Sequence, residues 1–291
     1  MGEKAAGEKG KAAKFSSSSR RAGFQPAATF KDREGFMPDE RVPPSHVAAG
    51  WKARAPESSP RRFPLSAFHF LPILIGMRCV VTAGPTFEPL DQVRRLTNHS
   101  TGRLGSELTS HLAECGHEVT LLVGQQATWR GERSAARVET FTTTDNLRLR
   151  LRALADEGWD AVLHAAAVSD FTFGKTFSRD AKNVLHQVQS GKLSTRGESL
   201  LVELVPTAKI IAELRGWFPR ATIVGWKYEV DGARESVIEK ASRQIFENQT
   251  DACVANGPAY GEGFGFVTPD GCEPLADAAQ LYRTLEQFIG S

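Results

Sequence analysis

The sequence predicts an α/β fold: a Rossmann-like, open, mostly parallel sheet with helices on both faces and an inserted flap. Three observations predict it. Short apolar runs such as RCVVTA (78–83) and DAVLHA (160–165) alternate with segments of helical spacing. Within these runs apolar residues follow one another directly rather than at every second position, as in strands covered on both faces. One stretch, residues 171–206, shows no helix–strand rhythm and is long enough for an insertion.

The elements follow in order. Residues 78–83 read as the first buried strand, and a loop rich in Pro, Gly, Ser and Thr follows it. Residues 102–115 carry Leu104, Leu108 and Leu112 at helical spacing. HEVTLLV (117–123) and residues 138–141 are strands, and Thr144 or Asp145 is positioned to cap a helix running through Asp156. Residues 160–165, 222–225 and 252–255 complete the strands. Further helices are expected at 208–216, 233–247 and 275–289. In such sheets ligands bind outside the carboxyl ends of the strands. The segments to search are therefore 84–101, 166–173, 225–231 and 256–265.

The chain changes character near Met77. The preceding segment is Ser-rich, broken by Pro44, Pro56, Pro60 and Pro64, and lacks a sustained apolar period. Its acidic residues, among them Glu3, Glu8, Asp32 and Glu34, depart from the acid-poor pattern of a transit peptide. Residues 1–76 are expected to be disordered, or to be sequence upstream of a functional start at Met77, with the working domain at 77–291. The apolar run 63–76 falls short of the roughly 20 residues that cross a bilayer, so no membrane partner is expected.

The formal net charge of +2 gives no field that would mark a nucleic-acid binder. The four cysteines are scattered without a CxxC pair, which argues against a zinc site or a disulfide framework and suits a cytoplasmic protein.

Two segments carry candidate chemistry. The first loop, TAGPTFEPLDQVRRLTNHSTGRLG, has a Gly after a strand and a Ser/Thr/Gly turn into a helix. That is an anion-binding arrangement, in which free backbone N–H groups and the helix dipole face the ligand. Arg94 and Arg95 add charge, and Ser100 and Thr101 add hydroxyls. The spacing matches neither GxGxxG nor GxxxxGK[ST], and a capped turn without a ligand explains it equally well. The second is HAAAVSDF, where small residues allow close approach and Asp170 sits at the end of a strand. A carboxylate there accepts from a base or ribose, or caps its own turn. Lys192, in SGKLSTRG, is by position alone a solvated loop lysine.

Taken together, TAGPTFEPLDQVRRLTNHSTGRLG, AAAVSDF, GKLSTRG, and VGWKYE followed by DACVAN resemble, in this order, the phosphopantothenate–cysteine ligase family. The resemblance covers about residues 77–291. It implies a two-step ligation in coenzyme A biosynthesis. The carboxylate of 4′-phosphopantothenate attacks the α-phosphate of CTP or ATP, releasing pyrophosphate, and the amine of cysteine then displaces the nucleoside monophosphate. It implies Mg2+ with the triphosphate, no FMN, a homodimer, and decarboxylation on a separate flavin-dependent polypeptide. The metal-ligating residues stay unassigned.

The resemblance also implies roles. Asn98 and Lys192 are catalytic, Lys192 on a flap that closes over the site. Arg94, Ser100, Thr101, Gly102, Ala166 and Ala167 bind substrate or intermediate. Gly84, Asp170, Thr207, Ala208, Trp226 and Lys240 bind nucleotide. The sequence departs from the bacterial bifunctional pattern in three places: KLST replaces KIKK, Val205-Pro206-Thr207 replaces Asn-Pro-Asp, and Gln244 and Asn248 stand where basic residues are common. Weaker selectivity for CTP is expected from these changes. Two alternatives remain at this stage. One is a non-catalytic nucleotide-binding relative. The other is an NAD(P)-dependent oxidoreductase, which would need a glycine fingerprint right after the first strand and an acid at the end of the second; TAGPTFEPLD lacks the first and LLVGQQ the second.

Overall fold

The computed structural model describes residues 76–194 and 199–291. The expectation for residues 1–75 falls outside them. Gly76 belongs to the folded part, because a Cβ there would lie 2.0 Å from the Gly116 carbonyl oxygen.

The strands are β1 (Arg78–Ala83), β2 (Phe87–Pro89), β3 (Arg95–Thr97), β4 (Glu118–Gly124), β5 (Arg137–Phe141), β6 (Ala161–His164), β7 (Phe171–Arg179), β8 (Leu185–Val188), β9 (Ser199–Pro206), β10 (Thr222–Tyr228), β11 (Ala252–Asn256), β12 (Phe264–Thr268) and β13 (Gly271–Leu275). The helices are α1 (Arg103–Glu114), α2 (Thr144–Leu154), α3 (Ile210–Trp217), α4 (Arg234–Asn248) and α5 (Ala278–Ile289).

Eight strands form the main sheet in the order β13-β12-β11-β10-β6-β1-β4-β5. From β5 to β11 every neighbouring pair is parallel, and β12 and β13 extend the edge antiparallel. Numbered by succession, the parallel strands run 3-2-1-4-5-6, the doubly wound order whose direction reverses between β1 and β6.

Alternation within each strand builds the two faces. Cys79, Val81 and Ala83 of β1 pack with Leu108 and Leu112 of α1 and with Leu281, Leu285 and Ile289 of α5. Val80 points the other way, among Leu147 and Leu151 of α2 and Ile210 and Leu214 of α3. Cys253 and Ala255 of β11 meet Val237, Ala241 and Ile245 of α4. Because both faces are covered, the expected parallel strands are nearly continuous apolar runs.

Three expectations are corrected. Thr143, not Thr144 or Asp145, caps α2, accepting from the Asn146 N–H. Leu275 ends β13, and α5 begins only after Asp277, whose carboxylate accepts from the Gln280 N–H. Residues 171–206 do have regular structure: β8-β7-β9 form a separate antiparallel sheet, paired from Phe171↔Pro206 to Arg179↔Ser199. More than half of the residues of these strands are exposed. No single buried face therefore imprints a period on the sequence.

Candidate active site

The site lies where the strand order reverses, at the carboxyl ends of β1 and β6. Gly84 leaves β1 with φ +78°, and Gly102 enters α1 with φ +76°. A Cβ on Gly102 would sit 3.2 Å from the Gly84 Cα, and one on either glycine 2.9 Å from the Ala127 Cβ. One turn further on, a Cβ on Gly105 would meet the Ala83 Cβ at 2.7 Å and the Thr82 carbonyl oxygen at 3.0 Å. Gly84, Gly102 and Gly105 thus occupy the positions of a dinucleotide fingerprint: tight turn, close approach, and helix packed on strand. Residues 85–101 loop out between the first two, which hides the pattern from a motif search. No side chain caps α1 at Gly102. The second strand of the unit ends at Gly124, followed by Gln125 and Gln126, without a carboxylate for a ribose.

The loop-out carries the β2–β3 hairpin, and Asn98 follows directly after β3. The Asn98 amide nitrogen donates to the carbonyls of Ala167 (3.3 Å) and Val168 (3.1 Å), tying this loop to the one after β6. Ala167 reinforces the tie. Its N–H donates to the Gly84 carbonyl at 3.0 Å, and its carbonyl accepts from the Thr86 N–H at 3.2 Å. The Ala166 N–H donates to the Thr82 hydroxyl at 3.1 Å. Neither alanine N–H is therefore free to donate to a ligand. The Thr82 hydroxyl also meets the His164 Nδ1 at 2.9 Å. Burial pushes the His164 pKa down to about 4, so the ring is neutral at neutral pH.

Asp170 follows at the end of the β6 loop. Its carboxylate is 66% exposed and pairs with the Lys209 ammonium, while its carbonyl accepts from the Thr207 N–H at 3.0 Å. Asp170, Thr207 and Ala208 are thus brought together at the start of α3. Ser169, beside them, is buried, and its hydroxyl lacks a protein partner among the described residues.

Glu88 is a buried carboxylate that sequence reasoning passed over. It accepts from the Thr144 N–H at the start of α2 and from the Thr172 hydroxyl on β7, each at 3.0 Å. It thereby fixes the hairpin, α2 and the base of the flap to one another.

Arg94 faces inward along its own turn. Its Nε and Nη2 donate to Asp91 Oδ2 at 3.0 and 2.6 Å, and Nη2 also donates to the Leu193 carbonyl at 2.7 Å. Burial opposes ionisation of Asp91. The N–H groups of Leu193, Val93 and Arg94 and the Arg94 guanidinium nevertheless hold its carboxyl well below the usual carboxylate range. Lys192 is exposed on the segment so anchored.

Trp226 and Lys240 lie further along the sheet. Trp226 packs on the α1/α5 side, and its indole N–H is buried without a partner among the described residues. The Lys240 ammonium lies 2.5 Å from the Glu229 carboxylate, with Lys227 on its other oxygen at 3.1 Å. Lys240, with Lys227, holds the Glu229 pKa below its ordinary value although burial works the other way. Lys240 and Lys227 thus share one carboxylate, which leaves one positive charge on the trio. Ser100, Thr101 and Gly102 line the entry to α1: the Thr101 hydroxyl accepts from the Arg103 N–H at 3.2 Å.

Among the described residues no group of three or more His, Cys, Asp or Glu side chains could hold a metal ion, and no helix is long and apolar enough to cross a membrane. All four cysteines are free thiols, and burial pushes Cys79 and Cys253 up to about 12.

The family model described as DNA/pantothenate metabolism flavoprotein C-terminal domain matches residues 74–272. The coenzyme A biosynthesis bifunctional protein CoaBC of Thermococcus kodakarensis is 32% identical over 183 residues, which cover 63% of this chain and 42% of that protein. The chain thus spans less than half the length of that relative. The crystal structure of the DNA/pantothenate metabolism flavoprotein from Streptococcus pneumoniae superposes with a TM-score of 0.65 at 26% identity, covering 74% of this chain and 99% of that one. The C-terminal domain of a coenzyme A biosynthesis bifunctional protein CoaBC shares the fold, with a TM-score of 0.54 at 23% identity over 74% of this chain and 95% of that one.

Proposed function

We infer function from one premise: the chain belongs to the DNA/pantothenate metabolism flavoprotein C-terminal domain family. The reading is a carbon–nitrogen ligase that joins 4′-phosphopantothenate to cysteine in coenzyme A biosynthesis, at the expense of a nucleoside triphosphate. The observation that carries it is the Asn98 bridge from the β1 loop to the β6 loop, next to Asp170, at the reversal point of the sheet. Ligands of doubly wound sheets bind there.

A free carboxylate resists attack by an amine. In the first step a carboxylate oxygen of 4′-phosphopantothenate bonds to the α-phosphorus, and pyrophosphate leaves. In the second, the cysteine amine adds to the acyl carbon and the nucleoside monophosphate leaves with that oxygen. The protein's part is to position the reactants and to stabilise the developing negative charge.

Asn98 is assigned to the acyl-nucleotidyl group, one of its two amide N–H bonds to the Ala167 and Val168 carbonyls being exchanged for the ligand, and Lys192 supplies a cation to the phosphate. Asp170, Thr207 and Ala208 locate the nucleotide, with Gly84 and Gly102 allowing its close approach. Lys209 adds a cation at the same place. Arg94, read from its contacts, acts chiefly by holding the Lys192 segment. Trp226 and Lys240 are assigned to the base side of the nucleotide. Mg2+ would neutralise the triphosphate on binding, and Asp170 suits it, since Mg2+ riding on phosphates takes only one or two protein carboxylates. A homodimer and acceptance of both CTP and ATP complete the reading.

The test is product formation by the purified chain with substrates omitted in turn. Phosphopantothenoylcysteine should appear only when 4′-phosphopantothenate, cysteine and CTP or ATP are all present, with pyrophosphate released in equal amount in that complete mixture. Absence of product with either nucleotide would refute the reading.

A further inference from the structure

Lys192 sits between two anchored neighbours. Before it, the Gly191 carbonyl accepts from the Gln92 N–H at 3.0 Å. After it, the Leu193 N–H donates to Asp91 Oδ2 at 3.0 Å, and the Leu193 carbonyl accepts from Arg94 Nη2 at 2.7 Å. The other Asp91 oxygen accepts from the N–H groups of Val93 (2.9 Å) and Arg94 (2.8 Å). The Asp91 side chain is 1% exposed, and Leu193 is buried beside it.

The donor set explains why a carboxylate stands here. Every group that meets Asp91 is an N–H: three from the backbone and two from Arg94. A carboxylate has about four lone-pair directions and no donor of its own, whereas an amide would turn an NH2 toward some of these donors. Hydrogen bonds to a charged acceptor are about twice as strong as neutral ones. The contact also closes a long loop, because Asp91 and Leu193 are 102 residues apart in sequence.

We propose that Asp91 is a positioning residue: with Arg94 it staples the Lys192 segment to the loop that carries Asn98. The backbone on either side of Lys192 is thereby tied to the loop that carries Asn98 before any ligand binds. This rests on the ligase reading for its catalytic consequence. The staple itself is independent of that reading.

Amide hydrogen exchange and a mutant cycle on the full chain test the two parts separately. The Leu193 amide should be protected in the wild-type protein without any ligand, and should lose that protection in Asp91→Asn. Exchange at the rate of an open loop in the wild type would overturn the staple whatever the enzyme does. In the ligase assay, Asp91→Asn should lower kcat by about 10²-fold, the scale of a small misplacement of a catalytic group. Lys192→Ala should do the same, and the double variant should be no slower than Lys192→Ala alone within about 2-fold. Effects that multiply would show that Asp91 does not act through Lys192 and would overturn the proposal. Should Asp91→Asn fail to fold, Arg94→Lys takes its place, because it keeps the charge facing Asp91 and loses the donor to Leu193. A chain that makes no product with any nucleotide, yet shows the Asp91-dependent protection, would retire the ligase reading and leave the staple standing.

Discussion

At the scale of single residues, Asn98 is the most exacting position. Its amide nitrogen sits against two carbonyl oxygens, and a carboxylate in its place would lose both bonds and repel both acceptors. Asn98→Asp should therefore reduce amide formation by about 10²–10³-fold, and reduce pyrophosphate release less. Parallel assays of the two on the purified variant check this, and equal near-normal values would make Asn98 a turn residue only. His164 predicts a pH effect. Its folded pKa of about 4 lies below the ordinary 6.5, so between these values the unfolded chain binds the proton that the folded one refuses. Stability should fall as pH drops from about 6.5 to about 4. His164→Asn, which keeps an acceptor for the Thr82 hydroxyl, should flatten the melting temperature across that window, and an unchanged slope would assign the effect to other groups. The sequence nominates Asn98, Asp170 and Lys192 because each sits in a recognisable block. Neither Glu88 nor Lys209 is among those nominated, since their partners lie 39 to 84 residues away, and for Asp91 the local spacing records only Val93 and Arg94, while the bond to Leu193 spans 102 residues.

At the scale of elements, legibility followed burial. The six parallel strands are covered on both sides, and their apolar runs were visible. The hairpin β12–β13 was missed although Pro269, Asp270 and Gly271 mark its turn. The strands β2 and β3 are three residues each, too short to show a period. The most constrained contact between elements is that of α1 with β1 at Gly105. Gly105→Val would push side-chain atoms into the Ala83 Cβ and the Thr82 carbonyl. It should destabilise the fold by about 1–3 kcal/mol and displace the N-terminus of α1 from the site. Chemical denaturation and the ligase rate measured together check this, and a variant as stable and as fast as the wild type would show that the helix has room to shift.

At the scale of the whole molecule, the doubly wound sheet explains why residues scattered from Gly84 to Lys240 are assigned to one reaction: the reversal between β1 and β6 gathers the loops that carry most of them. The fingerprint glycines escaped notice because residues 85–101 separate the first from the second. The fold accounts for residues from Gly76 onward, and the aperiodic composition of the preceding segment motivates a truncation. A chain beginning at Gly76 should be produced in soluble form and keep its ligase rate, and loss of either would give the first 75 residues a role. The central claim is ligation through an acyl-nucleotidyl intermediate, and its most direct measurement follows oxygen. With 4′-phosphopantothenate carrying ¹⁸O in its carboxylate, turnover with cysteine and CTP or ATP should place one labelled oxygen in the nucleoside monophosphate and none in pyrophosphate. Label in inorganic phosphate, or none in the nucleoside monophosphate, would contradict it.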